Sequence, residues 1–108
     1  MVRFGIQAPH EQINPTDLLN DVIIMERYGI EKCWSSDHYM PWWHTGATSG
    51  AAWPWLGAAL AKTDRIVVGT GITAPFYVTT LQSWRRSLLH LDTCSLAGSF
   101  WGLEEVSL

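Results

Sequence analysis

The sequence predicts an α/β fold with parallel strands, and three observations carry that prediction. Short apolar runs alternate with longer amphipathic stretches in the order strand, helix, strand, helix, strand. Asn14-Pro15 and Trp53-Pro54 mark two helix starts, each lying after an apolar run and a loop. The residues able to do chemistry gather just past the apolar runs, where a parallel sheet places its functional loops. The densest such stretch is Ser35-Ser36-Asp37-His38-Tyr39-Met40-Pro41-Trp42-Trp43, with an acid, an imidazole and two indoles.

Val2 to Gln7 reads as a first buried strand that stops at Ala8-Pro9-His10, and Glu11-Gln12 follows in a loop. Asn14 as N-cap, Pro15 at the first helical position and Asp17 in the first turn open a helix. Leu18, Val22 and Met25, flanked by Leu19, Ile23 and Ile24, give it a broad apolar face. Glu26-Arg27 supply a polar last turn and Gly29 the stop. Glu31-Lys32-Cys33-Trp34 is the second strand, feeding the Asp-His stretch as a loop. Thr45 to Ala52 is a Gly, Ala, Ser and Thr loop. Trp53-Pro54 opens a second helix to about Lys62 with Leu56 and Leu60 inward, and Arg65 to Thr70 is the third strand. Successive βα units with chemistry after the strands fit the opening of a (β/α)8 barrel, a fold of about 250 residues.

Composition points the same way. With 108 residues, 47% apolar and 16% charged, the chain is rich in apolar surface for a small free-standing domain. A segment of a larger core is the better match. A net charge of −3 with seven Lys and Arg argues against a nucleic-acid partner. Cys33 and Cys94 have no repeated spacing, so neither a disulfide framework nor a metal site is expected. Val2-Arg3-Phe4 leads straight into a strand pattern rather than a signal peptide, and no apolar run reaches membrane-spanning length. The expectation is a cytoplasmic protein with no membrane partner.

Several motifs resemble the luciferase-like family of flavin and deazaflavin enzymes, in the branch that uses coenzyme F-420. They are Glu11-Gln12, Ser36-Asp37-His38-Tyr39 with Pro41-Trp42, Ala52-Trp53 with Trp55 to Leu60, and Gly69-Thr70-Gly71-Ile72-Thr73 with Pro75. The resemblance covers about residues 2 to 77 in order and spacing. It implies a TIM barrel, F-420 as cofactor with FMN as the alternative, and a homodimeric parent protein. It also implies hydride transfer between a small secondary alcohol and F-420. A sugar-phosphate dehydrogenase and a methylenetetrahydromethanopterin reductase are the alternatives within the family, and a non-catalytic α/β module is the alternative outside it.

Past Tyr77 the family's next motifs are missing from the written sequence. Joining each codon's third base to the next codon's first two, from the Tyr77/Val78 junction, allows Arg-Tyr-His-Pro-Ala and later Met-Phe-Pro-Gly-Arg-Val. Both belong to the family pattern. The expectation is therefore one base lost after codon 77, with residues 1–77 the N-terminal part of a barrel and 78–108 an out-of-frame tail. On that reading Glu104-Glu105 and Arg85-Arg86 carry no inherited role, and the chain as written is inactive.

The resemblance assigns catalytic positions to His38, Trp42 and Glu11, and cofactor-binding positions to Asp37, Gly71, Ile72 and Thr73. An imidazole of near-neutral pKa suits the removal of a hydroxyl proton as hydride leaves the carbinol carbon. Trp42 would wall off water, and a barrel would bring Glu11 to the same rim. Without the resemblance, His38 is a loop histidine bonded to Asp37, Asp37 a turn cap, Trp42 a core indole and Glu11 a solvated loop acid. The family often has a cis peptide at the Gly71-Ile72 position. His10, His44 and the cysteines read as structural.

Overall fold

A computed structural model of the chain describes residues 2–73. They form β1 (Gly5–Ala8), α1 (Pro15–Arg27), β2 (Lys32–Asp37), α2 (Ala52–Lys62) and β3 (Val67–Thr73). The strands make one sheet in the order β1-β2-β3, parallel at both pairings, with one helix in each crossover. This is the α/β fold read from the sequence. The tail from Val78, with its stripe of Leu81, Trp84, Leu88 and Leu91, lies outside the described residues.

Register explains which faces are covered. Ile6, Cys33 and Val68 stand level across the sheet, and so do Gln7, Trp34 and Gly69. Side chains alternate along a strand, so the two rows face opposite ways. The first row meets Leu18 and Val22 of α1 and Trp55, Leu56 and Ala59 of α2 in a single apolar cluster. Both helices therefore cover one face. Burial pushes the Cys33 thiol up to about 12, which makes it an inert core group at neutral pH.

The helix boundaries follow their caps. The Asn14 side-chain oxygen accepts the N–H groups of Thr16 and Asp17, each at 3.0 Å, and Pro15 takes the first turn, where no N–H is missed. Gly29 ends the run with φ +85°. α2 begins one residue before Trp53, and Pro54 again falls within the first turn. The Thr63 hydroxyl closes it by donating to the Ala59 carbonyl at 2.7 Å.

Strand ends depart from the sequence reading for identifiable reasons. β1 starts at Gly5 rather than Val2 because its partner starts at Lys32, opposite Gly5, and Val2 and Phe4 are exposed. β2 runs through Ser35, Ser36 and Asp37, which had read as loop. Ser35 pairs with both Ala8 and Thr70 and Asp37 with Thr73, and these partners hold the segment extended against its weak strand propensity, with Ser36 at the irregularity between them. β3 begins at Val67, not Arg65, and runs on to Thr73. Between Ser35 and Asp37 the ladder slips: β2 advances two residues while β3 advances three, from Thr70 to Thr73.

The largest surprise is Glu26, expected in a polar last turn and found buried. Its Oε1 accepts the N–H groups of Asp64, Arg65 and Ile66 at 2.9, 2.6 and 2.8 Å. Those donors are thereby taken before the ladder starts. Met25 is only half-buried and Ile24 is exposed, so the inward stripe of α1 is Leu18, Val22 and the Glu26 stem.

Candidate active site

The site lies at the carboxyl ends of β1 and β2. After β1 the chain turns tightly, with the N–H groups of Gln12 and Ile13 both donating to the Pro9 carbonyl at 3.1 Å. That turn brings Glu11 over the end of β2, where its side chain is buried. Ser36 donates its hydroxyl to Glu11 Oε2 at 2.8 Å and accepts the His10 backbone N–H at 2.9 Å. Glu11 Oε1 makes no hydrogen bond among the described residues and lies 3.4 Å from His38 Nε2. His38 is half exposed, and its ring stands edge-on to Trp42 with centroids 5.7 Å apart and planes at 81°.

Around these groups opens a cleft of about 370 Å³, lined by Gln7, Pro9, Glu11, Gln12, His38, Trp42 and Trp43. That volume is in the range of small-molecule sites. Its chemistry is one imidazole backed by a carboxylate, two indoles and two amides. No Lys or Arg lines it among the described residues. A neutral imidazole here can take a proton from a hydroxyl, and the Glu11 carboxylate would stabilise the resulting cation.

The expected catalytic residues His38, Trp42 and Glu11 thus come together. His38 faces Glu11 across the sheet rather than its neighbour Asp37, and Glu11 is not a solvated loop acid. Asp37 is buried and its Oδ2 accepts the Trp53 indole N–H at 3.1 Å, tying the end of β2 to the start of α2. Gly71 and Ile72 are exposed in β3, and Thr73 pairs with Asp37, so all four lie at the carboxyl end of the β2–β3 pair. Gly71, Ile72 and Thr73 do not line the cleft. The Gly71-Ile72 bond is trans. A cis bond there costs about 3–4 kcal/mol and persists only where its surroundings enforce it; among the described residues nothing lies within 4 Å of a Cβ built at Gly71.

Sequence reasoning passed over Ser36, Gln7, Pro9, Gln12 and Trp43. The strand alternation that puts Gln7 opposite the apolar row was one available signal. Ser36 stands in the Ser36-Asp37-His38-Tyr39 motif, but its bond to Glu11 is set by tertiary contact. His10 packs as expected of a structural residue, edge-on to Trp55 with centroids 5.0 Å apart. Burial pushes its pKa down, with the Glu11 and Asp37 carboxylates pulling the other way.

Residues 2–82 match the family model for luciferase-like monooxygenases. The chain belongs to that family. Among luciferase-like relatives, an F-420-dependent glucose-6-phosphate dehydrogenase of Beutenbergia cavernae is 45% identical over 75 residues, 69% of this chain and 22% of that protein. A second so named, from Microbacterium testaceum, is 40% identical over 76 residues, 70% of this chain and 23% of that protein. Of solved structures, an F-420-dependent secondary alcohol dehydrogenase with an F-420-acetone adduct superposes with TM-score 0.81 at 31% identity. That likeness covers 91% of this chain and 30% of the other. A coenzyme F-420-dependent tetrahydromethanopterin reductase from Methanopyrus kandleri gives TM-score 0.69 at 28% identity, over 87% of this chain and 24% of its own. The chain thus spans less than a third of each of these proteins.

Proposed function

We propose that this luciferase-like chain supplies the opening βα units of a (β/α)8 barrel oxidoreductase that moves hydride between a small secondary alcohol and coenzyme F-420. The observation that carries the reading is the pairing of His38 with buried Glu11 beside Trp42 in an open cleft at the strand ends. The alcohol is favoured by the acetone adduct named for the structure of TM-score 0.81. The curated relatives' names favour glucose 6-phosphate as the second reading. Phosphates are commonly met by Lys, Arg or backbone N–H groups, and neither Lys nor Arg is among the described residues that line the cleft.

The residues present fit the cofactor. Among the described residues Glu11 Oε1 is a buried acceptor without a hydrogen bond, and the end of β3 leaves open backbone at Gly71 and Ile72. When bound, F-420 supplies the hydride acceptor. His38 takes the hydroxyl proton as the C–H bond gives up its electron pair and the carbonyl forms. Glu11 holds the imidazole and balances its charge, and Trp42 keeps water from the reacting carbon. Asp37, Gly71, Ile72 and Thr73 would hold the cofactor.

The reading includes an out-of-frame origin for residues 78–108. DNA sequence with one base restored after codon 77 should stay open for a barrel-length protein, and stops within a few tens of codons reject it. The frame-restored protein, given oxidised F-420, should bleach its absorbance with 2-propanol and not with glucose 6-phosphate. The opposite preference would replace the alcohol by the sugar phosphate. The 108-residue chain should show no hydride transfer above background, because later walls of the site lie beyond its homologous part.

A further inference from the structure

We infer that Ser36 is a positioning residue: it pins one oxygen of Glu11 so that the other faces His38. The inference rests on the proposed function for its kinetic part and on geometry alone for the rest.

A hydroxyl has one hydrogen to give. Two acceptors lie near Ser36 Oγ, the Ala8 carbonyl at 3.3 Å and Glu11 Oε2 at 2.8 Å. The shorter, charge-assisted bond to the carboxylate takes the hydrogen. The His10 backbone N–H, 2.9 Å away, occupies a lone pair on the other side. The hydroxyl is therefore fixed at both ends, and the backbone fixes Ser36 itself within β2.

The consequence falls on Glu11. Its carboxylate is buried, and a buried anion keeps an orientation only where donors hold it. Among the described residues Ser36 supplies its hydrogen bond at Oε2, while Oε1 lies 3.4 Å from His38 Nε2 without one. Each oxygen thus has one neighbour. A carboxylate accepts and does not donate, so its approach keeps the imidazole proton on Nε2 and leaves the lone pair on Nδ1. Ser36 is not among the residues that line the cleft and acts through Glu11.

The test uses Ser36→Ala and Ser36→Cys, the second keeping the shape while weakening the donor. In cofactor-free protein, both as the 108-residue chain and in frame-restored form, imidazole ¹⁵N spectra should show His38 as the Nε2–H tautomer. Both variants should show a tautomer mixture, and Ser36→Thr should restore the single form. With F-420 and 2-propanol, kcat should fall roughly 10-fold, the kinetic worth of one charge-assisted hydrogen bond. KM and F-420 affinity should hold. An unchanged tautomer with unchanged kcat in either folded variant overturns the inference, as does a fall in melting temperature alone. If the wild-type protein reduces no F-420, the proposed function fails while the ¹⁵N signature still decides the role of Ser36.

Discussion

Removing the Glu26 carboxylate should loosen the start of β3. In Glu26→Ala three backbone N–H groups lose their acceptor. The Ile66 donor is buried, and leaving such a group unmet costs about 1–3 kcal/mol. Asp64 and Arg65 are nearer solvent, and water would replace the carboxylate at a net loss of about 0.5–1.5 kcal/mol each. The total is about 2–6 kcal/mol, against about 0.5 kcal/mol for an ordinary surface substitution. Glu26→Gln keeps an oxygen but not its charge and should lose less than half as much. Acid supplies an independent check. Burial alone would raise this carboxyl, but the bonds from Arg65, Ile66 and Asp64 and the Arg65 charge outweigh it and hold it below the usual 4.5. Its contribution is therefore complete above pH 4.5 and lost as pH falls through the lower folded value. Urea unfolding followed by tryptophan fluorescence, run from neutral pH to pH 3, reads both effects. A Glu26→Ala protein within 0.5 kcal/mol of wild type, with the same acid profile, would refute the clamp.

His38→Ala in the frame-restored protein should cut turnover roughly 10²–10⁴-fold while F-420 still binds, checked by steady-state rates and fluorescence titration; an unchanged rate removes His38 from the mechanism. His10 has a lowered pKa, so its neutral form favours the fold above pH 6.5 and that contribution falls as pH drops below it. The His10→Gln protein should lose this slope in denaturation curves taken between pH 7 and 5. Gly50→Ala should cost about 1–3 kcal/mol in the same assay, because the new methyl would lie 2.6 Å from both His10 Nδ1 and Pro15 Cγ.

Much of the fold was legible because its signals are local. Asn14-Pro15 and Gly29 declare both ends of α1 whatever surrounds them, and the apolar runs around Cys33 and Val68 need no partner to be recognised. The strand ends were not legible, since pairing sets them: Gly5 is first because Lys32 is opposite, and β2 runs on because Ser35 pairs with Ala8 and Thr70 and Asp37 with Thr73. The site divides in the same way. His38, Trp42 and Glu11 came from a motif resemblance, and a rim shared by strand ends brings them together. That His38 faces Glu11 rather than adjacent Asp37 is tertiary, fixed by the Pro9–Gln12 turn. Glu26 looked like a solvated last turn because nothing in α1 announces that its acceptor is needed 38 residues later.

The slip between β2 and β3 makes parity a property of this site. β3 uses an odd number of steps where β2 uses an even one, so side chains after Thr70 have exchanged sides relative to an unbroken ladder. Chain length between Thr70 and Thr73 is then as much a determinant of the rim as residue identity. Deleting Gly71 would leave every remaining side chain chemically intact and give both strands two steps, so Thr73 would still stand opposite Asp37 but in a regular ladder, with the slip removed. Substitution scans cannot expose that kind of dependence, whereas a single-residue deletion or insertion can.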